Sequence, residues 1–372
     1  MSLTEAAPRF EIQQPCAVAC ISWRPRAVPR FSSKPCSSNI LIPTEDLIVG
    51  DECGELYYYS VEWSENARDP WPGSVTLAVR ISLHSQQICG LAWSSNGDFF
   101  ASGGNDNLCA LFEVSRILSL EHIDTRQGIS GSVDVPTREA TDQQLQVQIP
   151  ASTELLHYTS FGRQEPHGSF PRARSGIIRF LPNNVRRLTL GCELQKWPHR
   201  AAVKAIAFCP WLEGLVATSG GSNDKCIHFF HTISGSSLAS IAVAAQVTSL
   251  VWSNTKREIA ATFGYAHPDH SYRIAVFSWP DCSQIAAIPW EEDLRALHAV
   301  PYPCMLRQRS TAKTGAKTIN ECIVVASSDE TIKFYELWSR EGGRAVTRPS
   351  MFASSDILED LQGIIKDGDI IR

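Results

Sequence analysis

Residues 88–93 read ICGLAW and residues 98–112 read DFFASGGNDNLCALF. Apolar residues alternate with small ones up to Trp93, and a polar turn follows. A second run, FFASGG, leads through an Asn-Asp turn into a third, LCALF. Period-2 alternation of aromatic and aliphatic residues, broken by Gly, Asn and Asp, marks short antiparallel strands in a meander.

The same unit recurs on both sides. VKAIAF (203–208) precedes GLVATSGGSNDKCIHFF (214–230), and VTSLVW (247–252) precedes REIAATFG (257–264) and YRIAVFSW (272–279). LRALHAV (294–300) precedes ECIVVASSDETIKFYEL (321–337), and VACISW (18–23) precedes DLIVGDECGELYYYSV (46–61). The anchors Trp23, Trp93, Phe208, Trp252 and Ala299 are 70, 115, 44 and 47 residues apart. The last two spacings fit a four-stranded propeller blade of about 40–45 residues, and the longer ones hold insertions. The expected fold is all-β, a WD-repeat β-propeller with about five recognisable blades.

Three copies place an Asp six positions before an aromatic: Asp106/Phe112, Asp224/Phe230 and Asp329/Tyr335. A turn Asp accepts hydrogen bonds from turn amides, so these are expected to be structural. His84 and His199, each just before a first strand, are expected to bond the turn Asp of their own blade.

Composition narrows the function classes. With 43% hydrophobic and 20% charged residues and a net charge of -5, the chain gives no reason to expect nucleic acid or a membrane surface as partner. No run approaches the roughly eighteen apolar residues that span a bilayer, and MSLTEAAPRF lacks the basic start and apolar stretch of a signal peptide. Seven of the twelve cysteines (Cys20, Cys53, Cys89, Cys109, Cys226, Cys282, Cys322) lie in or beside strand-like runs, where Cys behaves as a small hydrophobe. No Cys-x-x-Cys pair or zinc-finger spacing occurs. Free thiols in a reducing compartment, nucleus and cytoplasm, are expected. His267, Asp269 and His270 share one loop and are not expected to hold a metal; no cofactor is expected.

Residues 115–197 break the pattern: a polar stretch that turns basic over 163–187 is read as a disordered insertion between two blades. A shorter polar insertion covers 307–320. The propeller is thus placed at 15–338, after a tail of residues 1–14 and before a tail of 339–372. In that last tail Ile357, Leu358, Leu361, Ile364 and Ile365 fit one face of a short helix.

Four stretches resemble the Fizzy and Fizzy-related coactivators of the anaphase-promoting ubiquitin ligase. They are ICGLAWSSNGDFFASGGNDNL (88–108), AAVKAIAFCPWLEGLVATSGGSNDKCIHFF (201–230), QVTSLVWSNTKREI (246–259) and SSDETIKFYEL (327–337). Cys209-Pro210-Trp211 and the Gly-Gly-Asn-Asp-Asn run at 103–107 carry most of the specificity. The resemblance implies a non-enzymatic adaptor that binds degron peptides and activates the ligase in the cell cycle, the insertion and divergent rim fitting a specialised, meiotic member. It implies that Asn105, Asn107, Ser222 and Gln246 hold a Lys-Glu-Asn degron, amides serving as both donor and acceptor. Where the family places an Arg for the degron's Glu stands Asp293, with Arg295 two residues away. Glu330 matches the acid that meets the Arg of a destruction box. The terminal Ile371-Arg372 matches the dipeptide that docks a tetratricopeptide subunit of the ligase, using a carboxylate, a cation and an apolar side chain.

Each of these rim residues also has an ordinary turn role to fill. The family's C box has no counterpart in these residues, and the first repeat matches the family's third, so an N-terminally incomplete seven-bladed ring is expected. Two other readings remain: a truncated, non-activating competitor, and a general WD-repeat scaffold. A propeller enzyme finds no Gly-x-Ser-x-Gly elbow, phosphate loop or metal-spaced His set.

Overall fold

The structure, a computed structural model, describes residues 10–34, 39–64, 71–119, 185–264, 270–290, 293–305, 319–338 and 364–365. The chain divides into two units. One, Met1–Gln13 with Ser119–Gly176, lies almost wholly outside the described residues. The other, Gln14–Leu118 with Ile177–Arg372, carries every element below.

Blade 1 contains β1 (Val18–Trp23), β2 (Val28–Phe31), β3 (Leu41–Asp51), β4 (Glu55–Trp63) and β5 (Gly73–Ser82). Blade 2 begins with β6 (Ile88–Trp93), β7 (Phe99–Gly104) and β8 (Leu108–Glu113), then a short helix α1 (Val114–Leu118). The chain returns with β9 (Arg186–Leu188), which joins blade 1 parallel to β5, and β10 (Gln195–Pro198), which pairs with β8 as the fourth strand of blade 2. Blade 3 is β11 (Val203–Phe208), β12 (Leu215–Gly220), β13 (Cys226–His231) and β14 (Ser237–Ala242). Blade 4 is β15 (Val247–Trp252), β16 (Glu258–Phe263), β17 (Tyr272–Ser278) and β18 (Gln284–Pro289). Blade 5 is β19 (Ala296–Met305), β20 (Ile319–Ser327), β21 (Ile332–Trp338) and β22 (Ile364–Ile365).

The alternation seen in the sequence explains the packing. Residues i and i+2 of a strand share a face, so each blade offers an apolar face to its neighbour. Four cores result, one per seam: Ile48, Tyr58, Phe100 and Phe112 between blades 1 and 2; Trp197, Val203, Val216 and Phe230 between 2 and 3; Phe229, Trp252 and Phe263 between 3 and 4; Ile274, Ile323, Tyr335 and Leu337 between 4 and 5. Burying one such side chain is worth about 1.5–3 kcal/mol. Polar staples add direction. Trp93 Nε1 donates to Ser22 O at 3.2 Å and Trp252 Nε1 to Ala207 O at 3.1 Å, each from one inner strand to the preceding one. Glu321 of β20 accepts from Ser253 Oγ at 2.6 Å and from the Asn254 amide, tying blade 5 to blade 4. Inner strands pack in chain order, and those of the two end blades leave apolar side chains exposed: Ile21 and Trp23 on β1, Leu297 and Val300 on β19.

Four expectations need correction. The long insertion is not between blades: α1, β9 and β10 all fall inside 115–197, and β10 completes blade 2, so the insertion leaves from the third strand and returns to the fourth. Ile364 and Ile365 are strand β22, paired parallel to Ile332 and Lys333; a three-stranded blade 5 needs an outer strand, so part of the presumed tail belongs to the propeller. Cys53 is not a buried free thiol but is bonded to Cys16, with Cα atoms 6.4 Å apart; the Glu52 amide donates to Ala17 O and holds the two segments together. The His199–Asp224 bond is not formed, as described below. The other positions of the presumed tail helix, residues 307–318 and His267 and Asp269 lie outside the described residues. Among the described residues no helix is long and apolar enough to cross a membrane.

Candidate peptide-binding rim

Strand register fixes where the functional candidates stand. Ile88 pairs with Gly104, Val203 with Gly220, Val247 with Phe263 and Ala296 with Ser327. The start of each inner strand therefore lies beside the end of the second strand. In consequence the connections entering inner strands and the turns between second and third strands share one rim. Asn105 and Asn107 lie in the turn of blade 2, Ser222 in that of blade 3 and Glu330 in that of blade 5; Gln246 and Arg295 enter blades 4 and 5. Ile371 and Arg372 lie outside the described residues.

The turns are built by their aspartates, differently in each blade. In blade 2, His84 Nδ1 contacts both Asp106 oxygens at 3.0 and 3.1 Å, and His84 Nε2 lies 2.8 Å from Ser102 Oγ. The amides of Ser85 and Leu108 also donate to Asp106. In blade 3, His199 Nε2 meets Thr218 Oγ1 at 2.8 Å while Asp224 takes His228 Nε2 at 2.9 Å and the Gly220 amide at 3.0 Å. The reason is local: His228 on β13 reaches the carboxylate that His199 was expected to take. Burial lowers the His199 pKa; burial also pushes that of Asp224 up, but the hydrogen bond and charge of His228 together with the Gly220 amide bring it below the usual carboxylate value. In blade 5, Asp329 is exposed and is bonded by the amide and hydroxyl of Thr331; burial pushes its pKa up, but the Thr331 hydrogen bonds with the charge of Lys333 bring it to about 2.

Within this frame the candidates differ. Asn105 Nδ2 donates to Gln86 Oε1 at 2.9 Å and its amide to Gln87 O at 2.8 Å, so its side chain is preset by a neighbour. Asn107 and Glu330 hold the same left-handed position, both with φ 65°, as does Lys225 with φ 52°. Asn adopts that conformation readily, while Glu and Lys do so at about 1–2 kcal/mol. The turn geometry thus accounts for the backbone of all three and leaves the exposed side chains of Asn107 and Glu330 pointing from the rim. Gln246 spans a seam. Its carbonyl accepts the Gly264 amide at 2.9 Å, and a Cβ on Gly264 would stand 3.1 Å from Gln246 Oε1 while one on Gly221 would stand 3.9 Å from Nε2. Arg295 and Ser328 exchange two hydrogen bonds of 3.0 Å, which set the Arg295 backbone beside the Glu330 turn.

Two rim residues escaped the sequence reading. Gln86, which orients Asn105, has no signal beyond its place after His84. Arg273 is buried, with Nε donating to Leu294 O. Burial lowers its pKa and Asp293 opposes that fall.

Chemically the rim offers amides, hydroxyls and single charges. Ser102, His84 and Asp106 follow the order of a hydrolase relay, but Ser102 has no exposed surface and no substrate reaches it. Burial raises the thiol of Cys109 and pushes that of Cys20 up to about 12, so neither is an activated nucleophile.

The WD domain, G-beta repeat family matches residues 76–113, from within β5 to the end of β8. An uncharacterised WD repeat-containing protein of Schizosaccharomyces pombe is 30% identical over 98% of this chain and 50% of its own length. The meiosis-specific APC/C activator protein AMA1 of Saccharomyces cerevisiae is 27% identical over 95% of this chain and 45% of its own. Meiotic fizzy-related protein 2 of S. pombe is 29% identical over 86% and 47%. The chain spans about half the length of the curated relatives it matches.

Fold and rim together define a WD-repeat β-propeller whose turns present side chains at one end of the blades. Within that class, the chain is similar over most of its length to a meiosis-specific APC/C activator and to a fizzy-related protein.

Proposed function

We propose that this protein is a substrate adaptor and activator of the anaphase-promoting complex, acting without catalysis of its own. The observation that carries the reading is the similarity of nearly the whole chain to an APC/C activator and a fizzy-related protein, both named for meiosis. The rim supports it: Asn105, Asn107, Ser222, Gln246, Arg295 and Glu330 come from four blades, and an extended peptide needs several donors and acceptors spread over such a surface. Asn105, Asn107, Ser222 and Gln246 hold a degron of Lys-Glu-Asn type, Arg295 stands near its acidic residue, and Glu330 takes the basic residue of a destruction box. Ile371 and Arg372 dock the tetratricopeptide subunit. The protein works in nucleus and cytoplasm.

The test is binding of a fluorescent Lys-Glu-Asn peptide to the full chain, followed by anisotropy. A lost hydrogen bond of about 0.5–1.5 kcal/mol weakens binding roughly two- to tenfold in Gln246→Ala or Asn105→Ala. Unchanged affinity in both, with unchanged melting, would remove the rim from the site.

A further inference from the structure

Blade 3 carries a group of side chains that peptide capture does not use. Asp224 lies in the turn before β13, and Cys226 and His228, two residues apart on that strand, share one face of the sheet. A carboxylate oxygen, a thiol sulfur and an imidazole nitrogen, one from each, all lie within 4.8 Å of one another. His228 Nε2 is 2.9 Å from Asp224 Oδ2, and two such atoms approach so closely only with a proton or another cation between them.

The surroundings hold these atoms in place. Ser240, cross-strand partner of His228, puts its Oγ 3.2 Å from Nδ1, and the Gly220 amide donates to Asp224. Outer contacts of this kind fix the orientation of metal ligands. The His199 ring meets His228 edge-on at 5.1 Å, but its nitrogens are taken by Trp197 O and Thr218 Oγ1, so it is a wall and not a ligand. Asp224 is buried, while Cys226 and His228 are half-buried and open to an entering ion.

We propose that Asp224, Cys226 and His228 bind a zinc ion, with three protein ligands and a fourth position open to water. One oxygen, one sulfur and one nitrogen donor suit a borderline-soft cation; magnesium and calcium take oxygen sets. The ion takes the place of the proton between His228 Nε2 and Asp224, the neutral imidazole then carrying its proton on Nδ1 beside Ser240 Oγ; the proton of the Cys226 thiol leaves to solvent, and no electron moves. The bound ion ties the turn holding Ser222 to β13. The site stands apart from the degron reading, since none of its ligands is a rim candidate. Among the described residues the other comparable group, Cys16, Asp51 and Cys53, has both sulfurs in a disulfide.

Cobalt(II) tests the site as an optical stand-in for zinc on the full chain with its Cys16–Cys53 bond intact. One equivalent should give a thiolate-to-cobalt absorption band that zinc abolishes. Cys226→Ser should remove the band, and His228→Gln should weaken cobalt binding at least about tenfold, both with unchanged circular dichroism. His228→Gln keeps the shape of the site should Cys226→Ser fold poorly. Cys16→Ser should leave the band intact. Absence of a thiolate band, its survival in Cys226→Ser, or its loss in Cys16→Ser would each overturn the assignment.

Discussion

The turn aspartates Asp106, Asp224 and Asp329 occupy matching places in their blades, yet replacing each by alanine should cost very different amounts. Asp106 accepts from His84, whose side chain is fully buried, and from the amides of Ser85 and Leu108. Asp106→Ala leaves the imidazole without its acceptor, a loss of about 1–3 kcal/mol, and two turn amides to find water. The total is about 3 kcal/mol, or roughly 6–12 °C in melting temperature at about 2–4 °C per kcal/mol for a domain of this size. Asp224→Ala frees the part-exposed His228 and the Gly220 amide, for about 1–2 kcal/mol. Asp329 is exposed and bonded chiefly by Thr331, so Asp329→Ala should cost under about 1 kcal/mol. Urea melts of the full chain, read by tryptophan fluorescence, give the order directly. Equal midpoints for the three variants, or Asp329→Ala as the worst, would show that the hydrogen bonds around each carboxylate do not set its value.

Three further outcomes follow from the same contacts. Burial lowers the His199 pKa, so the unfolded chain takes up the proton first: this contribution is present above about pH 6.5 and is lost as pH falls through the folded value. His199→Gln should therefore show a shallower fall in urea midpoint from pH 7 to pH 5 than the parent, and an identical slope would refute the assignment. Glu321→Ala leaves the Asn254 amide and Ser253 hydroxyl of blade 4 without their acceptor and should cost about 2–4 kcal/mol; hydrogen exchange should show faster opening at the seam of blades 4 and 5 than at that of blades 1 and 2. Trp252→Phe removes the indole donor to Ala207 O and should cost about 1–2 kcal/mol, measured as a lower urea midpoint at unchanged slope.

Three strands of each blade were legible because alternation and Gly/Asp turns are local signals. The fourth strand of blade 2 was not: QKWP is four residues long and stands after an insertion, so no nearby period announces it. The fourth strand of blade 5 is two residues, and Ile364 and Ile365 fit a helical face as well as a strand edge. The turn aspartates were readable as turn residues, but their partners were not. His228 displaces His199 as the partner of Asp224 because cross-strand neighbours decide that geometry, and they appear only after folding. The Cys16–Cys53 bond joins residues 37 apart with no spacing motif to announce it. On the rim, turn positions could be assigned from sequence, whereas the Gln86–Asn105 bond and the bond of the buried Arg273 to Leu294 O depend on which loops become neighbours.

The adaptor reading meets its most direct test in quantitative co-purification of the anaphase-promoting complex with the full chain and with a variant lacking Ile371 and Arg372. Recovery of ligase subunits with the intact chain, cut at least about tenfold by the two-residue deletion at unchanged melting temperature, is the predicted result, since losing about 1.4 kcal/mol of docking energy already gives that factor. Failure of the intact chain to recover any ligase subunit would contradict it.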